Sequence, residues 1–259
     1  MTRLSDEAFV LKTQELGEND LIVSLFTRGH GKVRGVARAA RSSRRRFGGT
    51  LEPLTHVRAA WMEKPQRDLH RLDSMECVRS YAGMQSDPRI QAACAVLSEV
   101  SESFAHEGQA DEKAFKLVGA ILEALDGGGD PWIMVRYFEY WMLRVHGLLP
   151  DLQACAVCST SLNASSRPRV DRDGDVRCRD CARGESVQGR TLGTAEIAFL
   201  DEARRKPPSQ VDARPRTVGA GSPLESLLRG TLESFVERRF RTYRHLRAAG
   251  ACGEGEIGT

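Results

Sequence analysis

The sequence predicts a multidomain α and β protein: a small N-terminal five-stranded β-barrel, then an α-helical domain carrying an inserted four-cysteine ribbon. Three observations predict it. Short β-rich runs separated by turn residues fill the first 80 positions without helical periodicity. From Asp87 onward apolar residues recur at helical spacing behind marked helix starts, and two CxxC pairs, Cys155/Cys158 and Cys178/Cys181, interrupt that helical part. The expected boundaries are 1–80 for the barrel, 81–250 for the helical domain with the ribbon at about 152–185, and 251–259 for a tail.

The strands are justified in turn. Ala8–Thr13 is an apolar run of β-forming residues, and Leu21–Thr27 follows after the turn residues Gly17, Glu18 and Asn19. Gly29 and Gly31 mark a second tight turn, after which Lys32 and Arg34 alternate with Val33, Gly35 and Val36 as in a half-exposed strand. Leu54–Glu63 and Arg67–Val78 are the last two runs, joined at Lys64, Pro65 and Gln66 where proline favours a turn. Five short strands of this kind fit an OB-fold barrel, which commonly binds oligonucleotides on one face.

Helix starts are signalled by Asp87-Pro88, Asp130-Pro131 and Ser222-Pro223, each a capping side chain before a proline at the first helical position. Ser222 with Glu225 also fits a capping box. The first helix places Ile90, Ala93, Cys94, Leu97, Val100 and Phe104 on one face; the second spans about Asp111–Asp126. The third, around Trp132–Val145, is apolar nearly all round and should end at Gly147. A shorter helix is expected over Thr194–Arg204, a loop over Lys206–Gly221, and one long last helix over Pro223–Arg247. The arginines from Arg238 would then sit at a helix C-terminus, where the dipole favours cations. Gly250–Thr259 reads as a frayed tail with an exposed Cys252, whereas Cys77 and Cys94 lie among apolar neighbours and read as core.

Charge singles out Thr27–Thr50. No carboxylate occurs between Asp20 and Glu52, while Arg28, Lys32, Arg34, Arg38, Arg41, Arg44, Arg45 and Arg46 do. Residues 1–80 carry 15 Lys/Arg against 10 Asp/Glu, although the whole chain is only +3. A basic strand followed by a basic loop, presented by a barrel, suits a polyanion. The same run read as a solvated loop would only aid solubility. Phe47 and Trp61 could each offer a stacking face for bases or fill the core.

Cys155-Ala-Val-Cys158 and Cys178-Arg-Asp-Cys181 have the spacing of a zinc ribbon, with Asp173-Gly174 as the turn of a connecting hairpin. Four thiolates would close a tetrahedral Zn2+ site and leave no position for water, so the metal would be structural. A redox role for the CxxC pairs would need a βαβ context that is absent. Other chemistry fails on register. A GxGxxG loop would need glycine at Arg34, a calcium loop would need Glu at Ala182, and no HExxH occurs. The chain shows no secretory signal and no uninterrupted membrane-length apolar run, which leads us to expect a soluble cytoplasmic protein.

Five stretches, taken together and in order, resemble the RecO family of recombination mediators: Ala8–Thr13, Gly17–Thr27, Gly29–Arg41, Gly147–Cys158 and Arg241–Arg247. The resemblance implies an OB barrel that binds single- and double-stranded DNA, a helical C-terminal domain and a zinc module found in many members. It implies a non-enzymatic protein that anneals complementary strands. With RecR, it would help RecA replace single-strand-binding protein on DNA, and it would dock the acidic tail of that protein. Lys32, Arg34, Arg38 and Arg41 match the family's basic strand and loop, and Arg44, Arg45 and Arg46 extend it; the Lys206–Gly221 loop has no match. The competing reading is an adaptor whose ribbon docks protein and whose barrel touches DNA incidentally; a zinc-dependent nucleic-acid enzyme is disfavoured by the closed thiolate site.

Overall fold

The protein, seen in a computed structural model, is described at residues 2–42, 44–63, 69–162, 168–171, 175–183, 190–211 and 218–252. Its chain divides into two compact units, residues 1–119 with 240–259, and residues 120–239.

The first unit holds a closed barrel of β1 (Thr2–Leu16), β2 (Asp20–Thr27), β3 (Gly31–Ala37), β4 (His56–Glu63) and β5 (His70–Arg79), in the order β1-β2-β3-β5-β4. β1 is long enough to pair with both β2 and β4, and β3 meets β5 in parallel, which closes the barrel. Inward positions alternate as expected: Ala8, Val10, Val23, Leu25, Val33, Ala37, Val57, Ala59, Leu72 and Met75 fill the interior. Trp61 and Phe47 join them at 1% exposure each, so both are core and neither is a stacking platform. Phe47 is carried in by α1 (Arg44–Phe47), a single helical turn inside what the sequence suggested was plain loop.

Helices α2 (Pro88–Phe104) and α3 (Glu112–Asp126) follow, and the Asp87 cap accepts from the Arg89 N–H as expected. The Ser98 hydroxyl donates to the Leu11 carbonyl at 2.5 Å, and Phe115 packs against Phe9 and Phe26 with ring centroids 4.7 and 5.8 Å apart. The helices thus cover the Phe9/Phe26 part of the outer sheet. At the β2–β3 turn Gly31 has φ +67°, and a Cβ there would lie 2.2 Å from the carbonyls of His106 and Gln109. Only glycine lets the α2–α3 connection close on this turn. Cys94 is largely buried and its thiol is pushed up to about 12 by burial. Cys77 is exposed, contrary to expectation, because the end of β5 from Glu76 onward is uncovered.

The second unit is built on α4 (Pro131–Val145), buried along almost its whole length and capped by the Asp130 carboxylate. Gly147 at φ +70° ends it, with the Leu148 N–H returning to Leu143 O at 2.8 Å. A buried ion pair, Arg136–Glu139 at 2.9 Å, lies on this helix. The short strands β6 (Arg169–Val170), β7 (Val176–Arg177) and β8 (Arg190–Thr191) form one small sheet, and α5 (Thr194–Arg205) packs on α4. The Trp141 indole N–H donates to Ala203 O at 2.9 Å. The Asp173-Gly174 turn and the Lys64–Gln66 turn fall outside the described residues.

The last expected helix is two. α6 (Pro223–Phe235) begins at Ser222, whose hydroxyl accepts from Glu225 N; the Glu225 carboxylate takes the Gly221 N–H, one residue earlier than a capping box requires. It stops where Glu237 adopts φ +53°: Glu237 N–H returns to Ser234 O and Arg238 N–H to Glu233 O. That is a Schellman stop made without glycine, which is why the sequence concealed it. α7 (Tyr243–Cys252) then restarts within the first unit, so Arg241 and Arg244 precede or open a helix instead of closing one. The helix also runs into the stretch expected to fray.

Candidate nucleic-acid interface and metal centre

The barrel's basic face is made by strand register. Lys12 pairs with Ser24 and Ser24 pairs with Arg34, so the three side chains form one outward row across β1, β2 and β3. Gln14, Ile22 and Val36 form the next row. The position of Lys12 depends on a bulge: the register shifts between Val10 and Lys12, and without that extra residue Lys12 would face the interior. Lys12, Arg34 and Arg38 make no ion pair among the described residues. The Ser24 hydroxyl, on a residue only 4% exposed, finds no hydrogen-bond partner among them either.

Other cations of the window are engaged. Lys32 Nζ donates to Glu102 O at 3.3 Å, at the end of α2. Arg28 pairs with Glu112 at 2.6 Å and approaches Glu7; hydrogen bonding to Glu112 raises the guanidinium further and holds the Glu112 carboxyl below its usual range. Arg41 binds the Glu15 carboxylate and the Glu18 carbonyl. The window is therefore acid-free in sequence but not in space, because β1 and α3 bring carboxylates to its edges. Such exposed pairs are weak, of the order of 0–1 kcal/mol, and Arg41 remains exchangeable toward a stronger anion. Arg46 Nη2 donates to Arg38 O at 2.7 Å, and its guanidinium lies 5.2 Å from the Phe47 ring centroid. The side chains of Arg44 and Arg45 lie outside the described residues. The loop that carries Arg38 and Arg41 is tied to the β1–β2 turn by Ala39 N–H to Asp20 Oδ1 at 2.8 Å.

In the second unit the four sulfurs of Cys155, Cys158, Cys178 and Cys181 lie within 4.8 Å of one another. Cys158 Sγ and Cys178 Sγ are 3.7 Å apart. A tetrahedron of thiolates at ~2.3 Å from zinc has edges of about 3.8 Å, so the cluster has the dimensions of a four-sulfur metal site. Backbone bonds set the two knuckles: Cys155 N–H to Thr160 O, Ser159 N–H to Cys155 O, and Ala182 N–H to Cys178 O. The Ala156 N–H to Val176 O bond, at 2.9 Å, joins the first knuckle to the β6–β7 hairpin. Burial pushes the Cys155 thiol up, but the N–H groups of Cys158, Cys178 and Val157 more than offset this and lower it to about 6. The Thr160 hydroxyl lowers Cys158, whereas hydrogen bonding to Cys158 and Cys178 pushes Cys181 up to about 12. Four sulfurs this close cannot all ionise alone; a divalent cation removes that conflict.

Comparison with known proteins decides the family. The family model "Recombination protein O N terminal" matches residues 1–81, and "Recombination protein O C terminal" matches residues 85–241. A DNA repair protein RecO from Koribacter versatilis is 36% identical over 238 residues, covering 91% of this chain and 95% of the relative. One from Anaeromyxobacter sp. strain K is 34% identical over 248 residues, covering 95% and 96%. The chain belongs to the RecO family.

In this RecO-family chain the expected four-cysteine set comes together, and the expected basic set is divided. Arg34 and Arg38 stand open, Lys32 and Arg41 are partly engaged, and Lys12 is added. Lys12 lies outside the acid-free window, and only the bulge reveals it. No described helix is long and apolar enough to cross a membrane.

Proposed function

We propose that the protein is a non-enzymatic recombination mediator that binds single- and double-stranded DNA along Lys12, Arg34 and Arg38, with Arg41 and the Arg44–Arg46 turn extending the track. Lys32 helps hold α2 and contributes charge from behind. The reading is carried by one observation: Lys12 and Arg34, on one outward row of the barrel, and Arg38 beyond it are cations with no ion pair among the described residues.

Such a row grips phosphates and reads no base edges. Phe47 and Trp61 are committed to the core, so stacking on them is not part of the mechanism. Bases of the captured strand stay accessible, and complementary strands can pair while neutralised. This is the physical basis for annealing, and for acting with RecR to help RecA displace single-strand-binding protein. Docking of that protein's acidic tail is proposed from the family resemblance. Cys155, Cys158, Cys178 and Cys181 would hold one Zn2+, which supplies folding energy to the ribbon and no catalytic position.

The test is fluorescence anisotropy of a labelled single strand over a salt series, with an annealing assay alongside. Neutralising about five phosphates gives a log–log slope of about −3.5. Binding that ignores salt would sink the capture mechanism. The adaptor reading keeps one supporting observation: Val157, at the tip of the first knuckle, is 60% exposed. Val157→Asp should leave DNA binding intact, and if it abolished annealing in mixtures with partner proteins, the adaptor role would take precedence.

A further inference from the structure

Annealing requires two strands, and the barrel row accounts for one. α7 belongs to the same compact unit as the barrel. Its inward residues Tyr243 and Leu246, with Phe240 before it, are buried, and it packs on α2. Its start is held by one carboxylate: Glu99 accepts from Arg241 N–H, from Thr242 N–H at 2.9 Å and from the Thr242 hydroxyl at 2.7 Å. Outward it presents Arg241, Arg244, His245 and Arg247, all exposed, and no acidic residue occurs from Arg238 to Cys252. Arg241 and Arg244 make no ion pair among the described residues.

These arginines lie at the wrong end of the helix for a structural role. Cations are disfavoured at a helix N-terminus, and the Glu99 carboxylate already serves the backbone N–H groups there. The charge therefore faces a ligand. Among the described side chains the outward face carries no apolar one larger than Ala248, so an acidic peptide would find no pocket for an apolar anchor there. A phosphate backbone needs only charge.

We propose that Arg241, Arg244 and Arg247 form a second nucleic-acid track, which holds the phosphate backbone of the second strand while the barrel row holds the first. This rests on the annealing function proposed above. The experiment uses the full-length, metal-loaded protein and two non-complementary oligothymidylates, one with a donor dye and one with an acceptor. Energy transfer reports two strands on one protein.

Arg241→Ala/Arg244→Ala should bind the first strand within about threefold of the parent, yet lose co-capture and annealing by at least about tenfold. Arg241→Lys/Arg244→Lys should restore both, which separates charge from folding. Arg34→Ala/Arg38→Ala should instead weaken first-strand binding. Equal loss of first- and second-strand binding in the α7 variant would mean one continuous surface and overturn the second track. Unchanged co-capture and annealing would overturn it too, as would an α7 variant that lost only an acidic competitor peptide. If the parent itself neither bound nor annealed strands, the underlying mediator reading would fail, and this outcome is distinct from the others.

Discussion

The basic face of the barrel and the four-cysteine cluster are built in opposite ways. The cluster is assembled from two short knuckles, each fixed by bonds between neighbours, so its ligands are specified by local spacing. The basic face exists only once β1, β2 and β3 pair in the correct register, and one bulged residue decides whether Lys12 belongs to it. The contrast teaches that a metal site can be read from intervals, whereas a surface for a polyanion must be read from topology. It also predicts different failures: the cluster should fail all at once, the surface by increments.

The largest effect should come from stripping the Zn2+ proposed for the four-cysteine cluster. Structural zinc contributes roughly 10–16 kcal/mol in small peptide modules, so chelation should unfold the ribbon. Hydrogen exchange should show lost protection around residues 154–162 and 176–182 with barrel amides unchanged; protection lost throughout the barrel would break the contrast. Because the thiols bind metal as thiolates, affinity should fall as pH falls and protons compete. A pH titration of metal release read by a chromogenic chelator checks the sign.

Next comes the aromatic at the base of the basic loop. Phe47→Ala should cost about 3–5 kcal/mol of stability in denaturant unfolding, as loss of a buried aromatic does. A stability near that of the parent, with DNA binding lost, would return Phe47 to a stacking role. Glu99→Ala should cost about 1.5–3 kcal/mol by orphaning the N–H groups that open α7, seen as an earlier thermal transition and faster exchange at Arg241 and Thr242. The smallest effect sharpens the barrel face. Ser24→Val removes a buried hydroxyl that has no partner among the described residues, so stability should hold or rise by up to about 1 kcal/mol while DNA affinity stays that of the parent. A lower affinity would contradict the buried position of Ser24 beneath the row.

Much of this architecture was legible. The five strands, the caps at Asp87, Asp130 and Ser222, the stop at Gly147 and the CxxC pairs all carry local signals with a direct physical cause. What was hidden is non-local or atypical. Glu237 makes a left-handed helix stop that normally announces itself with glycine, so the sequence suggests one helix where two stand and places its arginines at a C-terminus they do not occupy. Arg244, in the first turn, then faces a cost of some 0.3–1 kcal/mol instead of a gain. Cys77 looked like core because its neighbours are apolar, but the strand outruns the cover above it. Arg28 and Arg41 look unpaired in the sequence because their partners, Glu112 and Glu15, lie outside the acid-free window.

The central claim is that DNA is held by the outward row of the barrel. Its most direct test is the salt dependence of single-strand binding for Lys12→Ala/Arg34→Ala/Arg38→Ala, compared with the parent and with an Arg44, Arg45, Arg46→Ala variant, each checked for fold by circular dichroism. Losing three phosphate contacts should make the log–log slope shallower by about 2. A slope and affinity equal to the parent's would show that the row is solvated surface and that the DNA path lies elsewhere.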